Sequence, residues 1–564
     1  MVVKTGSQII IDSLLEQGVN EIFGYPGGSI IHFYDELYKN KDKIKHYLTR
    51  HEQAAIHAAE GYARATGKVG VAVFTSGPGI TNAITGIADA FLDSVPVVII
   101  SGQVKSTLLG TDTFQEVNIT GITRSITKYN YLVKSAEDIS KVIKEAFYIA
   151  KEGKPGPVVI AVTSDAQAKQ IEYTPKTTNI RIKEKEPRNY VGLAKESIKM
   201  LKEAKNPVIY YGGGLIIADA VTELKELVNN NNIPVVSSFM GLGAFPVEDK
   251  NFLGLAGMHG NYKANMAIFN ADLLVIIGTR LTDRATGNLD KYAKKSKKIH
   301  IDIEPAILGL NVPVNLEIVG DAKQILQEIN KYNDVKLDLT NWWADIKKWR
   351  EKNRPRYFSS DVIIKPQYLI ERVSALTKDI PHNFITTDVG QHQMWTAQFY
   401  EFSRTRQFIS SGGLGTMGFG LPAALGVQVA YPKSQVICIS GDGSFMMNIQ
   451  ELATAVYYDL PVKVVIVNNG VLGNVKQWQE LMYEGRFSET IFEKQTDFTA
   501  VAKAFGCESL EISEPSKLDD AIKTMLNSKK AFVLNVKTAD EYITPMVPPG
   551  KDFSQMLLKE DFKH

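Results

Sequence analysis

Short apolar runs rich in valine and isoleucine alternate with longer stretches whose apolar residues recur at helical spacing. The runs lie at 69–74, 95–101, 156–162, 206–211, 272–278, 297–303, 435–440 and 462–468. Helix-length stretches lie between them, at 136–152, 193–204, 217–229 and 447–458. Strands that are apolar on both faces and are joined through helices indicate parallel sheets covered on each side. The pattern therefore predicts an α/β protein.

Two polar segments interrupt this alternation and divide the chain. Residues 169–191 are charged and poor in apolar runs, and residues 331–366 combine a Trp-Trp pair with a charged, helix-like run. We take both segments as linkers. The chain is then predicted to contain three α/β units, each a mostly parallel sheet flanked by helices, at residues 1–170, 190–335 and 365–545, with a proline-rich C-terminal arm at 546–564.

Charge and composition exclude several classes of protein. The chain has 64 basic and 62 acidic residues, a net charge of +2, which argues against binding nucleic acid or anionic membranes through bulk charge. Two cysteines cannot form a disulfide scaffold in 564 residues, so a reducing compartment is expected. Residues 1–19 contain three charged residues and predict an amphipathic helix rather than a secretory signal. We expect a cytoplasmic protein with neither nucleic acid nor a membrane as partner.

The candidate chemistry lies at the ends of two successive apolar runs. GDGS (441–444) follows the run at 435–440, and Asn469 follows the run at 462–468. Because the carboxyl ends of parallel strands meet at one edge of a sheet, Asp442 and Asn469 are predicted to lie side by side. A carboxylate, an amide oxygen and a backbone carbonyl suit Mg²⁺, which would take further ligands from a diphosphate and water. The alternative is that both residues only cap helices.

Other motifs are absent or weak. The chain has no P-loop, no G-x-S-x-G nucleophile elbow, no H-E-x-x-H and no cysteine–histidine cluster with zinc spacing. One G-x-G-x-x-G occurs at 413–418 and would suit an NAD-dependent dehydrogenase, but that function leaves GDGS and the Asn-Asn pair unexplained. Glu52 opens an alanine-rich helical stretch, where an acidic residue commonly only stabilises the helix N-terminus. The motif around Glu52 alone is compatible with a catalytic carboxylate and with a residue that only stabilises the helix.

With these motifs in this order, the chain resembles the acetohydroxyacid synthase (acetolactate synthase) family of thiamine diphosphate enzymes, catalytic subunit, over almost its whole length. The matching stretches are 21–30, 50–67, 75–82, 112–116, 257–267, 411–424, 441–455 and 477–488. The resemblance implies the thiamine diphosphate-binding fold, with a pyrimidine-binding, a central FAD-type and a diphosphate-binding domain in the order of the three predicted units. A catalytically inactive paralogue would normally lack Glu52 or the metal ligands, and this chain has both.

The resemblance implies cofactor roles for particular residues. Glu52 would activate the cofactor at N1′ of its aminopyrimidine, and Met417 would hold the cofactor in a bent conformation. The implied Mg²⁺ ligands are Asp442, Asn469 and the carbonyl of Val471. The other residues implied in thiamine diphosphate binding are Val389, Gly390, Gln391, His392, Gly415, Gly443 and Ser444. In this family Glu52 meets a cofactor held mainly by the other subunit, so the smallest implied active unit is a homodimer, and a tetramer is also possible.

The implied reaction joins two 2-ketoacids. Pyruvate is decarboxylated on thiamine diphosphate, and the hydroxyethyl unit passes to a second 2-ketoacid, as a step of branched-chain amino-acid biosynthesis. The products are 2-acetolactate from pyruvate and 2-aceto-2-hydroxybutyrate from 2-ketobutyrate. Gln115 is implied as a catalytic residue. The implied substrate-contacting residues are Gly28, Phe114, Arg284 and Trp478, and a small regulatory subunit is an implied partner.

The central unit carries features that resemble an FAD site. Glycines let a backbone approach a pyrophosphate, and an acidic residue at a strand end can bind ribose hydroxyls. The residues implied in FAD binding are Gly213, His259, Gly260, Arg280, Asp283 and Asp302. The related catabolic acetolactate synthases lack FAD and also lack the R-x-x-D-R pattern, which this chain retains at 280–284. We therefore expect FAD beside thiamine diphosphate and Mg²⁺.

Departures from the family's usual sequence leave alternatives. The family usually has an acidic residue where Thr282 stands, a proline in place of Lys105 and a methionine in place of Asn474. In the family the last two positions lie near the substrate channel, so they bear on acceptor preference and inhibitor sensitivity. The alternatives are an FAD-independent catabolic acetolactate synthase and a specialised thiamine diphosphate decarboxylase or carboligase.

Overall fold

The computed structural model describes residues 2–174, 189–352 and 357–561. The predicted linker at 169–191 lies mostly outside these residues. The described residues form three six-stranded parallel sheets and one two-stranded antiparallel ribbon, which confirms the predicted α/β architecture. Among the described helices, none is long and apolar enough to cross a membrane.

The N-terminal unit is a parallel sheet between helices. Its strands are β1 Val2–Thr5, β2 Glu21–Gly24, β3 Lys45–Leu48, β4 Gly70–Phe74, β5 Val97–Gln103, β6 Tyr129–Val133, β7 Val158–Thr163 and β8 Gln170–Tyr173. Its helices are α1 Gly6–Glu16, α2 Ile31–Lys39, α3 Glu52–Thr66, α4 Pro78–Asn82, α5 Ile84–Leu92, α6 Ile119–Thr123, α7 Ile139–Lys151 and α8 Ser164–Ala168. The sheet order is β3-β2-β4-β5-β7-β6. The central strands β4, β5 and β7 are buried along their whole length, as their continuous apolar runs predict.

The N-terminus differs from the predicted single helix. β1 pairs antiparallel with β8, and Val2 lies opposite Tyr173. The helix begins only after Thr5, whose side chain accepts a hydrogen bond from the backbone of Gln8, while the Gln8 side chain accepts one from the backbone of Thr5. This capping box fixes the start of α1 and leaves the β-branched residues before it to form a strand.

The central unit repeats the architecture. Its strands are β9 Pro207–Tyr211, β10 Val235–Ser237, β11 Phe252–Leu255, β12 Leu273–Ile277, β13 Lys297–Asp302 and β14 Leu316–Val319. Its helices are α9 Val191–Glu203, α10 Gly213–Ile217, α11 Val221–Asn231, α12 Tyr262–Asn270, α13 Asp283–Thr286, α14 Ala322–Asn330 and α15 Thr340–Lys352. The order β11-β10-β9-β12-β13-β14 makes β9, β12 and β13 neighbours, so the glycines after the first two and Asp302 at the end of the third share one edge.

Helix α15 lies within the segment predicted as the second linker, yet it packs on the central unit. Trp342 is buried, and its Nε1 donates a hydrogen bond to the carbonyl of Pro207 at 3.1 Å. Ile346, one turn later, joins the same hydrophobic core. The many charged residues of α15 made its apolar face difficult to recognise in the sequence pattern. The boundaries between units remain predictions.

The C-terminal unit holds the third sheet. Its strands are β15 Phe384–Thr387, β16 Phe408–Ser410, β17 Val436–Gly441, β18 Lys463–Asn468, β19 Glu508–Ile512 and β20 Phe532–Lys537, in the order β16-β15-β17-β18-β20-β19. Its helices are α16 Pro366–Thr377, α17 Gln391–Phe399, α18 Gly420–Ala430, α19 Asp442–Phe445, α20 Glu451–Tyr457, α21 Gly473–Met482, α22 Phe498–Phe505 and α23 Leu518–Asn527. The arm that follows reaches the central unit, where the N–H of Val547 donates to the carbonyl of Met258 at 2.7 Å.

Helices α3 and α18 join the N-terminal and C-terminal units. A Cβ at Gly61 would lie 2.1 Å from the carbonyl oxygen of Ala423, and one at Gly426 would lie 1.8 Å from that of Ala58. The two backbones approach this closely only because glycine has no Cβ. Since later residues of α3 face earlier residues of α18, the two helices run antiparallel.

Candidate active site

The predicted metal ligands meet at the carboxyl edge of the C-terminal sheet. Asp442 follows β17 directly, and the N–H of Gly443 donates to its Oδ1 at 2.9 Å. Its Oδ2 accepts a hydrogen bond from the N–H of Gly470, beyond the end of the neighbouring β18, at 2.8 Å. The carboxylate therefore connects the ends of β17 and β18, which the sequence pattern predicts to be neighbours. Burial raises the pKa of Asp442 to about 6, and a bound cation would favour its ionised form.

Asn469 stands beside Asp442 and is oriented by Gln391. Nδ2 of Asn469 donates to Oε1 of Gln391 at 3.1 Å, so the amide oxygen of Asn469 is the atom left for a cation. Nε2 of Gln391 in turn donates to the carbonyl of Glu541 at 2.8 Å. Val471 is buried and forms a β-bridge with Ile491. Oxygen atoms dominate this edge, which is the chemistry that Mg²⁺ prefers.

His392 supplies a buried polar atom that the protein does not satisfy. Burial lowers its pKa to about 3, so the ring is neutral. Its Nε2 has no hydrogen-bond partner within the described residues. A Cβ at Gly441 would lie 2.8 Å from Nδ1 of the ring, so glycine is required next to it. A buried ring nitrogen without a partner is costly, and in the tautomer that carries its proton on Nε2 the ring would donate to a diphosphate oxygen.

Small residues surround the same edge. A Cβ at Gly473 would lie 1.8 Å from Oε1 of Gln391, and one at Gly443 would lie 2.8 Å from Leu472. Ser444 is buried, and its Oγ accepts the N–H of Gly441 at 3.3 Å. Val389 and Gly390, which follow β15, are partly exposed and lie at the start of α17. The donor set therefore fits a magnesium-bound diphosphate.

The glycine-rich loop, residues 411–418, leads from β16 to the start of α18 and carries the half-buried Met417. Its conformation requires glycine, because φ is 74° at Gly415 and 91° at Gly418. The N–H of Gly418 donates to Oδ1 of Asp388 at 2.6 Å, and its carbonyl accepts a hydrogen bond from Nδ2 of Asn448 at 2.7 Å. The loop thus presents Met417 at the sheet edge.

Asp388 is a residue that sequence reasoning missed. It follows β15 and is buried, and burial raises its pKa above the usual range. Besides Gly418 it binds Ser440, whose Oγ donates to Oδ2 at 2.8 Å. Asp388 therefore joins the glycine-rich loop to the end of β17. The signal was available, since an acidic residue directly after an apolar strand resembles Asp442 in its placement.

Glu52 occupies a second polar edge, on the N-terminal unit. It begins α3, and its Oε2 accepts a hydrogen bond from Nδ2 of Asn82 at 3.0 Å. A Cβ at Gly79 would lie 3.6 Å from its Oε1. The carboxylate is half-buried and faces α4, which contains both Gly79 and Asn82, and Asn82 is a contact that the sequence analysis did not identify.

The other predicted residues of the N-terminal unit lie near this edge. Gln115 adopts φ of 60°, and a Cβ at Gly77 would lie 2.8 Å from the Cβ of Gln115. Phe114 is 85% exposed. Gly28 is exposed and begins a 3₁₀ turn, with space around it for a side chain.

Glu52 and Met417 lie at opposite ends of the α3–α18 pair. Gly61 faces Ala423; Glu52 lies nine residues before Gly61 on α3, and α18 begins at Gly420, three residues before Ala423. At 1.5 Å per helical residue, the starts of the two helices are roughly 18 Å apart along the pair. Met417 lies in the glycine-rich loop, three residues before the start of α18.

A cleft of about 370 Å³ opens at the carboxyl edge of the central sheet. Four predicted residues line it, namely Gly213, Arg280, Arg284 and Asp302. Burial raises the pKa of Asp302 above the usual range. A Cβ at Gly214 would lie 2.7 Å from Gly278, so the turn after β9 and the turn after β12 touch through glycine backbones. Lys154 of the N-terminal unit and Gly412 of the glycine-rich loop complete the walls.

Three residues predicted for the flavin do not line this cleft. His259 is buried, and burial lowers its pKa to about 3, while its carbonyl accepts a hydrogen bond from Gln398 at 3.0 Å. Gly260 closes a tight turn by donating to the carbonyl of Gly257 at 2.9 Å. Asp283 is exposed at the start of α13.

Arg284 and Trp478 come together across two units. The guanidinium carbon of Arg284 lies 5.2 Å from the centroid of the Trp478 ring, which is cation–π distance. Nη1 of Arg284 lies 3.2 Å from the sulfur of Met258. Because Arg284 also lines the central cleft, it stands between that cleft and α21.

Comparison with known proteins agrees with this architecture. Three family models match: the N-terminal TPP binding domain, the central domain and the C-terminal TPP binding domain of thiamine pyrophosphate enzymes, at residues 4–122, 194–329 and 388–536. The chain is 44% identical to the acetolactate synthase isozyme 3 large subunit of Escherichia coli, over 99% of each chain.

Further relatives carry the same name. The chain is 44% identical to the acetolactate synthase large subunit of Haemophilus influenzae, over 99% of this chain and 98% of that one. It is 41% identical to that of Lactococcus lactis, over 98% of this chain and 96% of that one. Similarity of this extent covers all three units and the C-terminal arm. The chain belongs to the acetolactate synthase large-subunit family of thiamine pyrophosphate enzymes.

Proposed function

We propose that this chain is an acetolactate synthase that decarboxylates pyruvate on thiamine diphosphate and transfers the hydroxyethyl unit to a second 2-ketoacid. The acceptor is pyruvate, giving 2-acetolactate, or 2-ketobutyrate, giving 2-aceto-2-hydroxybutyrate. The observation that carries the proposal is the sheet edge at which Asp442 bonds the strand end that bears Asn469, beside the unsatisfied Nε2 of His392. Relatives named acetolactate synthase match this chain over almost its whole length.

The proposed cofactor-binding residues have different roles. Bound thiamine diphosphate supplies a nucleophilic thiazolium carbon and an electron sink for decarboxylation. In our assignment Asp442, Asn469 and the carbonyl of Val471 would bind Mg²⁺. The diphosphate would be held by Gly390, Gln391, His392, Gly443 and Ser444, and Val389 and Gly415 would also contact the cofactor. Met417 would pack against the bound cofactor, and the carboxyl group of Glu52 would hold a proton against the aminopyrimidine of the cofactor bound by the partner subunit.

We assign the substrate-contacting residues as the resemblance to the family implies. Arg284 can pair with the carboxylate of the incoming 2-ketoacid, and the Trp478 ring limits the size of its side chain. Gln115 and Gly28 would approach from the N-terminal unit, with the exposed Phe114 covering the reacting carbon against water. Excluding water favours transfer to the ketoacid over release of acetaldehyde.

We also propose that the central cleft binds FAD. Its glycine turns permit close approach of a pyrophosphate, and Asp302 stands at a strand end where ribose hydroxyls can be bound. Arg280 and Lys154 supply positive charge for phosphates. His259, Gly260 and Asp283 lie outside the cleft lining, and we assign them an indirect role through the turn before α12 and the start of α13.

The proposed assembly is a homodimer or a tetramer, with a small regulatory subunit as a further partner. The separation of Glu52 from Met417 within one chain supports a shared active site. The relatives named above are large subunits, which supports a small subunit as the second partner.

The test is an acetolactate assay on the purified chain with pyruvate, thiamine diphosphate and Mg²⁺, with and without FAD, after a flavin absorbance scan. We expect acetolactate that requires both thiamine diphosphate and FAD. Acetolactate without bound flavin would overturn the FAD assignment and favour the catabolic type. Acetaldehyde without acetolactate would overturn the synthase assignment.

A further inference from the structure

The glycine-rich loop is held from outside its own unit. Asp89, on α5 of the N-terminal unit, is fully buried. Its Oδ1 accepts a hydrogen bond from Oγ of Ser411 and another from Oγ1 of Thr416, the second at 2.9 Å. These two residues lie at the two ends of the stretch that precedes Met417. One carboxylate oxygen therefore holds both ends of the loop.

Ser411 extends this contact to the loop backbone. The N–H groups of Gly415 and Thr416 donate to its Oγ at 3.0 and 2.9 Å. The hydroxyl gives its one proton to Asp89 and accepts two backbone protons, which uses its full hydrogen-bonding capacity. Because glycines give the loop little conformational preference of its own, its shape depends on these bonds.

The charges around Asp89 favour its role as an acceptor. Arg64, on α3, lies 3.9 Å from Oδ2 of Asp89 and 2.7 Å from Oδ2 of Asp93. Burial raises the pKa of Glu60 well above its usual range and lowers the pKa of His57 to about 4, so both side chains are neutral. One guanidinium thus faces two carboxylates, and the donors of the loop, together with the neutral Glu60 side chain, add to the stabilisation of their charge.

A metal ion is the other interpretation of this cluster. Ligand atoms of His57, Glu60 and Asp89 lie within 4.8 Å of one another. However, Nδ1 of His57 already bonds Oε1 of Glu60 at 3.0 Å, and the Arg64 guanidinium lies 3.4 Å from Oε2 of Glu60. A divalent cation would be repelled by that guanidinium at close range. The cluster is a hydrogen-bonded support for Asp89.

We propose that Asp89 is a positioning residue for the thiamine diphosphate site, acting through Ser411 and Thr416 to place Met417 against the cofactor. The inference rests on the proposed function. Asp89 touches neither cofactor nor substrate in this assignment, and the residues that hold the diphosphate and Mg²⁺ are different ones. Losing Asp89 should therefore impair activation of the bound cofactor more than its binding.

The test separates these two quantities in the full-length enzyme. Asp89→Asn keeps the size of the side chain but removes its charge and weakens both hydroxyl bonds. We expect the exchange of the C2 proton of bound thiamine diphosphate into D₂O, followed by NMR, to slow about 10- to 100-fold, and kcat to fall in parallel. The Kd for thiamine diphosphate, from tryptophan-fluorescence quenching, should stay within about threefold.

Two further variants give the test its controls. Asp272→Asn is matched, because Asp272 accepts hydrogen bonds from the N–H groups of Lys205 and Asn206 in the central unit, away from the loop. Its exchange rate should equal that of the wild type. Ser411→Ala should reproduce the loss, and combining it with Asp89→Asn should cost no more than the larger single loss, as expected for residues that act as a unit.

Two outcomes overturn the proposal: a wild-type exchange rate in folded Asp89→Asn, or a loss of thiamine diphosphate affinity equal to the loss of exchange, which would mean that the whole site has collapsed. If the wild type and Asp272→Asn also fail to bind thiamine diphosphate, the proposed function fails and this inference falls with it.

Discussion

At the residue scale, the C-terminal site suits a magnesium-bound diphosphate because it contains both a buried carboxylate, which a cation would stabilise, and a buried ring nitrogen without a partner. Asp442 is a buried carboxylate whose pKa burial raises to about 6, so the two backbone N–H groups that bond it offset only part of the cost of burying its charge. Close to it in the structure, the neutral His392 has an Nε2 atom without a partner in the described chain. Perturbed groups that cluster at a sheet edge mark functional sites more often than structural ones.

The first prediction concerns the metal. Asp442→Asn keeps the shape of the side chain but removes its charge, so the Mg²⁺ concentration that gives half-maximal activity should rise about 100-fold or more. Titration of activity with Mg²⁺ at saturating thiamine diphosphate measures this shift. Asp459→Asn, at an exposed position with φ of 51° that asparagine tolerates, is the matched control and should titrate like wild type. An unchanged midpoint in Asp442→Asn would remove this residue from the metal site.

The second prediction concerns Glu52. Glu52→Gln can keep the hydrogen bond from Asn82 through its amide oxygen but cannot exchange a proton with the cofactor. Acetolactate formation should fall about 10²- to 10⁴-fold, while thermal unfolding stays unchanged. Glu21→Gln, which alters a carboxylate 3.4 Å from the hydroxyl of Tyr62, is the control for charge loss in the same unit. Near-normal activity in Glu52→Gln would exclude it from the mechanism.

Residue-level prediction from sequence worked where chemistry follows strand ends and failed where it depends on distant packing. Asp442 and Asn469 could be paired because parallel strands end at a common edge. Asp388 follows the same rule and was overlooked. Asp89 could not be found, because its partners Ser411 and Thr416 are more than 300 positions away and no local pattern joins them.

At the scale of elements, continuous apolar runs identified the buried strands, since few other structures are apolar on both faces. Elements on the surface were harder to predict from the sequence. Val2–Thr5 forms a strand only because Gln170–Tyr173 lies opposite it, and α15 joins the central core only through one face, which includes Trp342. Both depend on tertiary contacts that override the local pattern.

The third prediction tests the α3–α18 contact. In Gly426→Val the new Cβ would collide with the carbonyl oxygen of Ala58, 1.8 Å away, and the helices would have to separate. We expect a loss of about 3 kcal/mol or more in the free energy of unfolding, seen as a lower Tm. Gly192→Ala, in α9 with open space around it, should leave Tm unchanged or raise it. Equal Tm values for Gly426→Val and wild type would contradict the close packing.

At the scale of the whole molecule, the antiparallel α3–α18 pair bears on the proposed sharing of the active site between subunits. It carries the N-terminal chemistry, at Glu52, and the C-terminal chemistry, near Met417, to opposite ends of the same helix pair. If one site needs both groups, as we propose, a second chain has to supply the missing half at each end. A twofold arrangement satisfies this requirement, because each chain gives one half to each site.

The fourth prediction follows from this geometry. Glu52→Gln and Asp442→Asn should each be inactive as pure assemblies at limiting Mg²⁺, but equal amounts that are mixed, unfolded and refolded together should regain about one quarter of the wild-type activity. Half of the random dimers would be hybrids, and each hybrid has one site with both damaged residues and one site with neither. If each chain instead completed its own site, every site in a hybrid would keep one lesion and mixing would restore nothing. Refolding each variant alone is the control, and activity of the mixture no greater than these controls would contradict a site shared between subunits.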